Sequence, residues 1–401
     1  MKIRSKEPYW LLKNGIINSY PSLTKNVSCD VLIIGGGLTG ALMSYQFSKE
    51  GYKTILIDKR DIGTGSTSAN TSMVQYEIDE PLYGLIEMVG KEAAVNVYKA
   101  CEETIYKLDK IVDTLKIDCD FKLTDSLLFA KNLQDADGLK RELACRKMAG
   151  LTVKWLNADQ IYKGYGILSE GGILSETAAR MDAYRLTHAL IDHSVKKFGA
   201  KVFDHTAVAS VENMASKNYV TVDTSAVIES NFIVYATGYE TQELIGKKIG
   251  KLVSTYACIS EPLTNLPMAL NDAIFWDTGN PYCYFRTTPD NRILIGGEDE
   301  NFKDPEKRDA LIEKKESQLV SMFHQCVPGM DFVPDFTWAG TFGQTKDTLP
   351  YIGLHPDFPN SYFALGFGGN GITFSVMAME ILSDAVAKRH NKFLEYFGFN
   401  R

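Results

Sequence analysis

The chain has 401 residues, 45% hydrophobic and 23% charged, with 43 lysines and arginines against 50 aspartates and glutamates. That length supports two domains and a sizeable core, while a net charge of -7 without a long basic stripe argues against a nucleic-acid surface. The start, Met1-Lys-Ile-Arg-Ser-Lys-Glu-Pro8, is charged where a secretory signal would be apolar, and four glycines break the apolar segment 31–47, so a cytoplasmic protein with no integral membrane segment is expected.

Residues 1–27 read as an irregular arm anchored by Tyr9 and Trp10. Asp30-Val-Leu-Ile-Ile34 is then an apolar strand that enters Gly35-x-Gly37-x-x-Gly40, followed by a helical stretch over 41–49 and a second strand ending at Asp58. Strand, glycine turn, helix, strand and an acid about 20 residues beyond the glycines are what a dinucleotide site requires. Gly35 permits the turn, Gly37 lets the backbone approach a pyrophosphate, Gly40 lets the helix pack on the strand, and Asp58 accepts from a ribose. A small-residue loop over 61–70 follows, then amphipathic helices around 80–116 and 134–149.

Residues 183–199 form another helix. Strands come next at 201–203, 207–211 and 219–222, and Phe232-Ile-Val-Tyr235 runs into Ala236-Thr237-Gly238 as a parallel edge strand near the cofactor. From 251 to 300 the pattern is of strands around a turn at 289–292, an antiparallel sheet that would roof a pocket. Near the C-terminus, a short strand at 361–365 leads into the glycine loop Gly366–Gly371 and a helix through Lys388. Two glycine-rich helix starts so far apart are economical if both face one large ligand, which implies a discontinuous cofactor domain. Seven cysteines lacking any Cys-x-x-Cys pair and six histidines without ligand spacing, His188 and His193 included, suggest a reducing compartment and no metal.

The ordered motifs resemble the flavin amine-oxidoreductase family of D-amino-acid oxidase, glycine oxidase, sarcosine oxidase and gamma-glutamylputrescine oxidase. They are Asp58-Lys59-Arg60, Gly63-Thr-Gly65-Ser66-Thr67-Ser68-Ala-Asn70, Met181-Asp-Ala-Tyr-Arg-Leu, Ala236-Thr-Gly238, Tyr284-Phe-Arg286, Thr345-Lys-Asp347-Thr-Leu-Pro350 and Gly366-Phe-Gly368-Gly369-Asn370-Gly371. The resemblance implies an α/β fold: a Rossmann-like FAD-binding domain from 1–80, 180–245 and 335–401, and a substrate domain on an antiparallel sheet from 81–179 and 246–334. It implies non-covalent FAD, with Leu38 and Thr39 at the first helix start and the backbone near Val208 meeting the adenine. The loop through Thr71 and Gly340 would lie along the flavin, and Gly368 to Ile372 and Thr373 at its pyrimidine edge.

The implied reaction is hydride transfer from the carbon of an amine or amino acid to the flavin, giving an imine that water hydrolyses. Arg286, or Arg180, would clamp a substrate carboxylate, and Tyr284, Tyr282, Trp276, Gln75 and Tyr76 would line the pocket. No cysteine follows Cys326 to tether the flavin, and 292–296 has no lysine to activate oxygen, so oxygen or another acceptor is open. Rival readings are an NAD-dependent dehydrogenase, for which the second glycine loop is superfluous, and a non-catalytic flavin-binding subunit of a larger complex. An oligomer is possible.

Overall fold

The computed structural model describes residues 3–245 and 250–401, arranged around two sheets. The smaller, eight-stranded sheet runs Tyr351–Leu354, Ser361–Leu365, Val227–Tyr235, Val27–Ile34, Thr54–Ile57, Lys201–Phe203, with the hairpin Val208–Asn213 and Asn218–Val222 attached to Val227–Tyr235. Pairing is parallel from Ser361–Leu365 to Lys201–Phe203. Strand alternation divides the core: Val31, Ile33 and Leu56 face the helices Leu38–Lys49, Ala183–Phe198 and Gly371–Val386, whereas Leu32, Ile34, Ile55 and Ile57 pack toward the hairpin. Both faces are covered, so the strands read as unbroken apolar runs.

The larger sheet has ten strands, in the order Arg4–Ser5, Pro334–Gln344, Lys251–Ser260, Ile293–Glu300, Cys283–Thr287, Ala273–Asp277, Lys122–Phe129, Gly172–Arg180, Met73–Gln75, with Val153–Leu156 on Gly172–Arg180. The antiparallel roof expected from the sequence is present with one exception, the parallel pairing of Ala273–Asp277 with Lys122–Phe129.

Several local readings change. The arm carries a strand, Arg4–Ser5, and a helix, Tyr9–Asn14, whose Trp10 is buried and donates to Asn70 O at 2.6 Å. Three strands that periodicity missed lie between residues 122 and 180. Val227–Tyr235 is not an edge: it sits between Val27–Ile34 and Ser361–Leu365, which is why Ile233 and Val234 are fully buried. Met73–Gln75 and Pro334–Gln344 hydrogen-bond within the larger sheet, although the division by sequence groups them with the cofactor segments. The division at 245 adjoins 246–249, which lie outside the described residues, as do residues 1 and 2 of the arm.

Two histidines that the sequence sets five apart have separate, non-metal surroundings. His193 packs edge-on against Tyr45 and Phe198, and His188 against Tyr184, centroids 4.6 Å apart. His188 is 1% exposed, and burial pushes its pKa down to about 4. With the folded value below the unfolded one, the neutral ring contributes fully above about pH 6.5 and its contribution is lost as pH falls toward 4, a loss of roughly 3 kcal/mol. Thermal melts from pH 7 to 4 are expected to show this decline, and His188→Phe is expected to flatten it.

Candidate functional site

A trough of about 700 Å³ lies between the two glycine loops. Gly35, Gly37, Leu38 and Thr39 form one wall, with Asp58, Lys59 and Arg60 beyond them. Gly65, Ser66, Thr67 and Asn70 come from the small-residue loop; Val208, Ala236, Thr237 and Gly238 from the opposite strands; Gly366, Gly371 and Ile372 from the terminal motif. Gly40 serves packing instead, since a Cβ there would stand 1.8 Å from Gly35 O, so only glycine brings helix and strand this close.

The helices Leu38–Lys49 and Gly371–Val386 both begin without a side-chain cap, whereas Ala183–Phe198, Leu133–Met148 and Ala158–Tyr165 are capped by Asp182, Asn132 and Asn157. Thr67 Oγ1 accepts from Leu38 N–H at 3.0 Å, and the remaining first-turn N–H groups and the positive ends of the helix dipoles are available to an anion. The two starts are adjacent: Thr39 Oγ1 and Ser375 Oγ are 2.7 Å apart. Residues more than 300 positions apart thus present their donors together, which fits a pyrophosphate-bearing cofactor. Asp58 braces the loop, accepting from Gly36 N–H at 2.7 Å and Arg60 N–H at 2.9 Å, and burial raises its pKa. Each carboxylate oxygen retains capacity for a second bond, from a ribose hydroxyl. Glu240, unremarked in the sequence, ties Lys59 and Arg60 at 2.9 and 3.1 Å.

A second cavity of about 660 Å³ continues from the trough, sharing Ser66, Asn70, Tyr239 and Gly371 with it. It is floored by Thr71, Gly340, Gly368, Gly369 and Asn370 and walled by Gln75, Tyr284, Tyr282 and Trp276. Asn370 does not cap its own helix: its amide donates to Glu77 O at 2.7 Å and Gln75 O at 3.3 Å. Thr373 Oγ1 also donates to Gln75 O, at 2.8 Å. Tyr284 lies across Gly296, where a Cβ would stand 2.3 Å from its hydroxyl, and burial raises its pKa. Behind the wall, Arg146 donates to Glu142 at 2.7 Å and Glu77 at 3.1 Å in a buried ion network.

Four site residues are placed otherwise than expected by this geometry. Arg286 is no carboxylate clamp: it is 1% exposed, stacks over Trp10, and donates to Thr71 O, Thr287 O and Met181 O at 2.7, 3.1 and 2.9 Å. Burial first, then neighbouring Arg180, pushes its pKa down to about 9. Tyr76 points away from Gln75, buried against Tyr98 and bonded to Ser175 Oγ at 3.0 Å, because successive side chains alternate across an extended segment. Ser68 is fully buried, donating to Gly65 O at 3.0 Å, and Thr373 is spent on Gln75, so both shape the walls without lining either cavity. Sequence reasoning overlooked Asp79, Tyr239, Tyr83 and Asp135, all at the second cavity; they lie in no motif and only folding gathers them. It also could not see that ligand atoms of buried Asp277, Cys283 and Cys326 approach within 4.8 Å; Asp277 already meets Lys131 at 3.3 Å.

A parallel-sheet nucleotide trough opening into a chamber roofed by a second sheet defines a two-domain dinucleotide-dependent oxidoreductase architecture. The chain belongs to the FAD dependent oxidoreductase family DAO, whose pattern matches residues 30–385. That membership sets aside the NAD-dependent reading. The putative Rieske 2Fe-2S iron-sulfur protein YhfW of Bacillus subtilis is 24% identical over 397 residues, 98% of this chain and 75% of the relative. A glycine oxidase of Bacillus licheniformis is 28% identical over 373 residues, 89% of this chain and 92% of the relative. The fold matches the crystal structure of glycine oxidase from Geobacillus kaustophilus with a TM-score of 0.78 at 20% identity, covering 93% of this chain and 99% of that one.

Gly37→Val tests the phosphate cradle. A Cβ at this position already stands 3.0 Å from Thr67 Oγ1, and valine adds two further carbons beside the trough. FAD affinity is expected to fall at least tenfold, about 1.4 kcal/mol or more, read by flavin titration, with the circular dichroism of the folded chain unchanged.

Proposed function

We propose that this chain oxidises the C–N bond of an amine or amino acid in the chamber under the larger sheet, using non-covalently held FAD, and releases an imine that water hydrolyses. The observation that carries this reading is the continuity of the chamber with the trough at the uncapped start of Gly371–Val386. Bound there, FAD supplies the hydride acceptor. The chain's residues do the rest. The helix start at Gly371 lines both cavities, and its dipole would favour negative charge on a flavin held there. Gln75 and Asn370, held by one another through the carbonyl bond, set the floor on which a substrate rests. The roofing strands with Tyr282, Tyr284 and Trp276 exclude water and orient the C–H bond.

No cysteine is placed along the chamber, so FAD retention rests on these polar and backbone groups. None of its described lining residues is a lysine, so a screen for substrates is best run without assuming oxygen as acceptor. We place the enzyme in the cytoplasm on the strength of seven free cysteines, six of them buried. Among the described residues no helix is long and apolar enough to cross a membrane.

The purified protein is expected to be yellow, with a band near about 450 nm that bleaches when an amine or amino acid is added anaerobically. A flavin-replete protein that no amine or amino acid bleaches would be a non-catalytic subunit, and the proposal would fail.

A further inference from the structure

The charges around the chamber are one-sided. Asp79 opens onto it from the loop after Met73–Gln75, accepting one hydrogen bond, from Gly369 N–H at 3.1 Å. Among the described residues no cation acts on its carboxylate. Asp299 stands behind the wall, accepting from the Tyr282 hydroxyl at 2.9 Å; burial and the nearby charge of Asp79 raise its pKa to about 6, against the lowering effect of the Thr255 hydroxyl, Tyr282 and Lys315. Asp135, near the mouth, accepts from Thr278 and from Asn132. Asp277 is balanced by Lys131, and Arg146, the one cation among the described lining residues, is already outnumbered by Glu77 and Glu142.

The two arginines expected to meet a carboxylate do not line the chamber. Arg286 is consumed by three carbonyls. Arg180 is 6% exposed, does not line the chamber, and has Asp120 and Asp272 as its attracting charges. A substrate carboxylate would therefore lose its hydration beside Asp79 and gain no fork of donors, which discriminates against it. A cation meets the opposite conditions: Asp79 directly, Asp299 one residue behind, and the rings of Tyr282, Tyr284 and Trp276 to face.

We infer that the chamber selects a cationic amine that carries no carboxylate beside the reacting carbon–nitrogen bond, with Asp79 as the ammonium partner and Asp299 reinforcing it. This rests on the proposal that the chamber is where an amine is oxidised, but recognition is separable from oxidation. Two isosteric probes that cannot be oxidised, tert-butylammonium and trimethylacetate, are titrated into the FAD-loaded protein at neutral pH, and the shift of the flavin spectrum is read. The ammonium is expected to bind at least tenfold tighter than the carboxylate, and Asp79→Asn, and to a smaller degree Asp299→Asn, to shrink that ratio while FAD retention and melting temperature hold. Equal or tighter binding of trimethylacetate, or a ratio unmoved in both variants, overturns the inference and leaves the oxidation proposal standing. Anaerobic reduction by matched pairs such as putrescine and ornithine, or pyrrolidine and proline, supplies the second arm. The decarboxylated member is expected to bleach the flavin at least tenfold faster. A faster amino acid overturns the inference alone, whereas failure of every compound to bleach overturns the oxidation proposal, with the probe ratio still deciding the selectivity.

Discussion

The rest of the molecule is arranged around one contact, that between the first turns of two helices begun by glycine loops at opposite ends of the chain. Thr39 and Ser375 hydroxyls meet at 2.7 Å, and neither N-cap residue, Gly37 or Asn370, caps its own helix, Thr67 taking only the Leu38 N–H. Leaving such donors unsatisfied is unfavourable unless a ligand or water supplies acceptors, so the arrangement holds a standing electrostatic demand for an anion. The parallel sheet exists to hold these starts in place. Val27–Ile34 delivers one loop, Ser361–Leu365 the other, and Val227–Tyr235 sits between them and contributes the Ala236-Thr237-Gly238 turn.

The second sheet is coupled to the first by the same terminal motif. Asn370 and Thr373 give up their usual local roles to donate to Gln75 O and Glu77 O at the tail of an edge strand of the larger sheet. Cofactor floor and substrate wall are thereby positioned by shared hydrogen bonds, and Gly369 N–H adds one to Asp79. The rigidity this confers is the kind that orientation-dependent chemistry needs, because a displaced donor atom lowers the rate steeply.

Arginines and acids illustrate how burial reverses roles that composition suggests. Arg286, on a roofing strand, had the position of a clamp, yet its guanidinium is the mortar between Tyr9–Asn14, the flavin-side loop at Thr71 and the helix start at Met181. Asp79 and Asp299 carry no motif, yet they set the sign of the chamber. The bulge at Gly297 and Glu298, both with positive φ, shifts register between Lys251–Ser260 and Ile293–Glu300 just before Asp299. Such local twists re-aim side chains and leave little trace in a hydrophobic pattern.

What could be read from residues alone was whatever depends on short-range geometry: the strand–glycine–helix units, the acid at 58, the glycine-rich helix beginnings, and through their order the family and its cofactor. These survive because a backbone turn and a helix dipole are determined by a handful of consecutive residues. Lys122–Phe129 and Gly172–Arg180 escaped notice because their pairing partners are remote and much of each strand is covered on both faces, which erases alternation, whereas Val153–Leu156 is too short to show a period. Tertiary structure alone decided that Tyr76 and Ser68 turn inward, that Arg286 is structural, and that the chamber is acidic. Those outcomes depend on which side of a strand faces the cavity and which charges long-range packing brings within a few ångströms, and neither quantity is encoded locally.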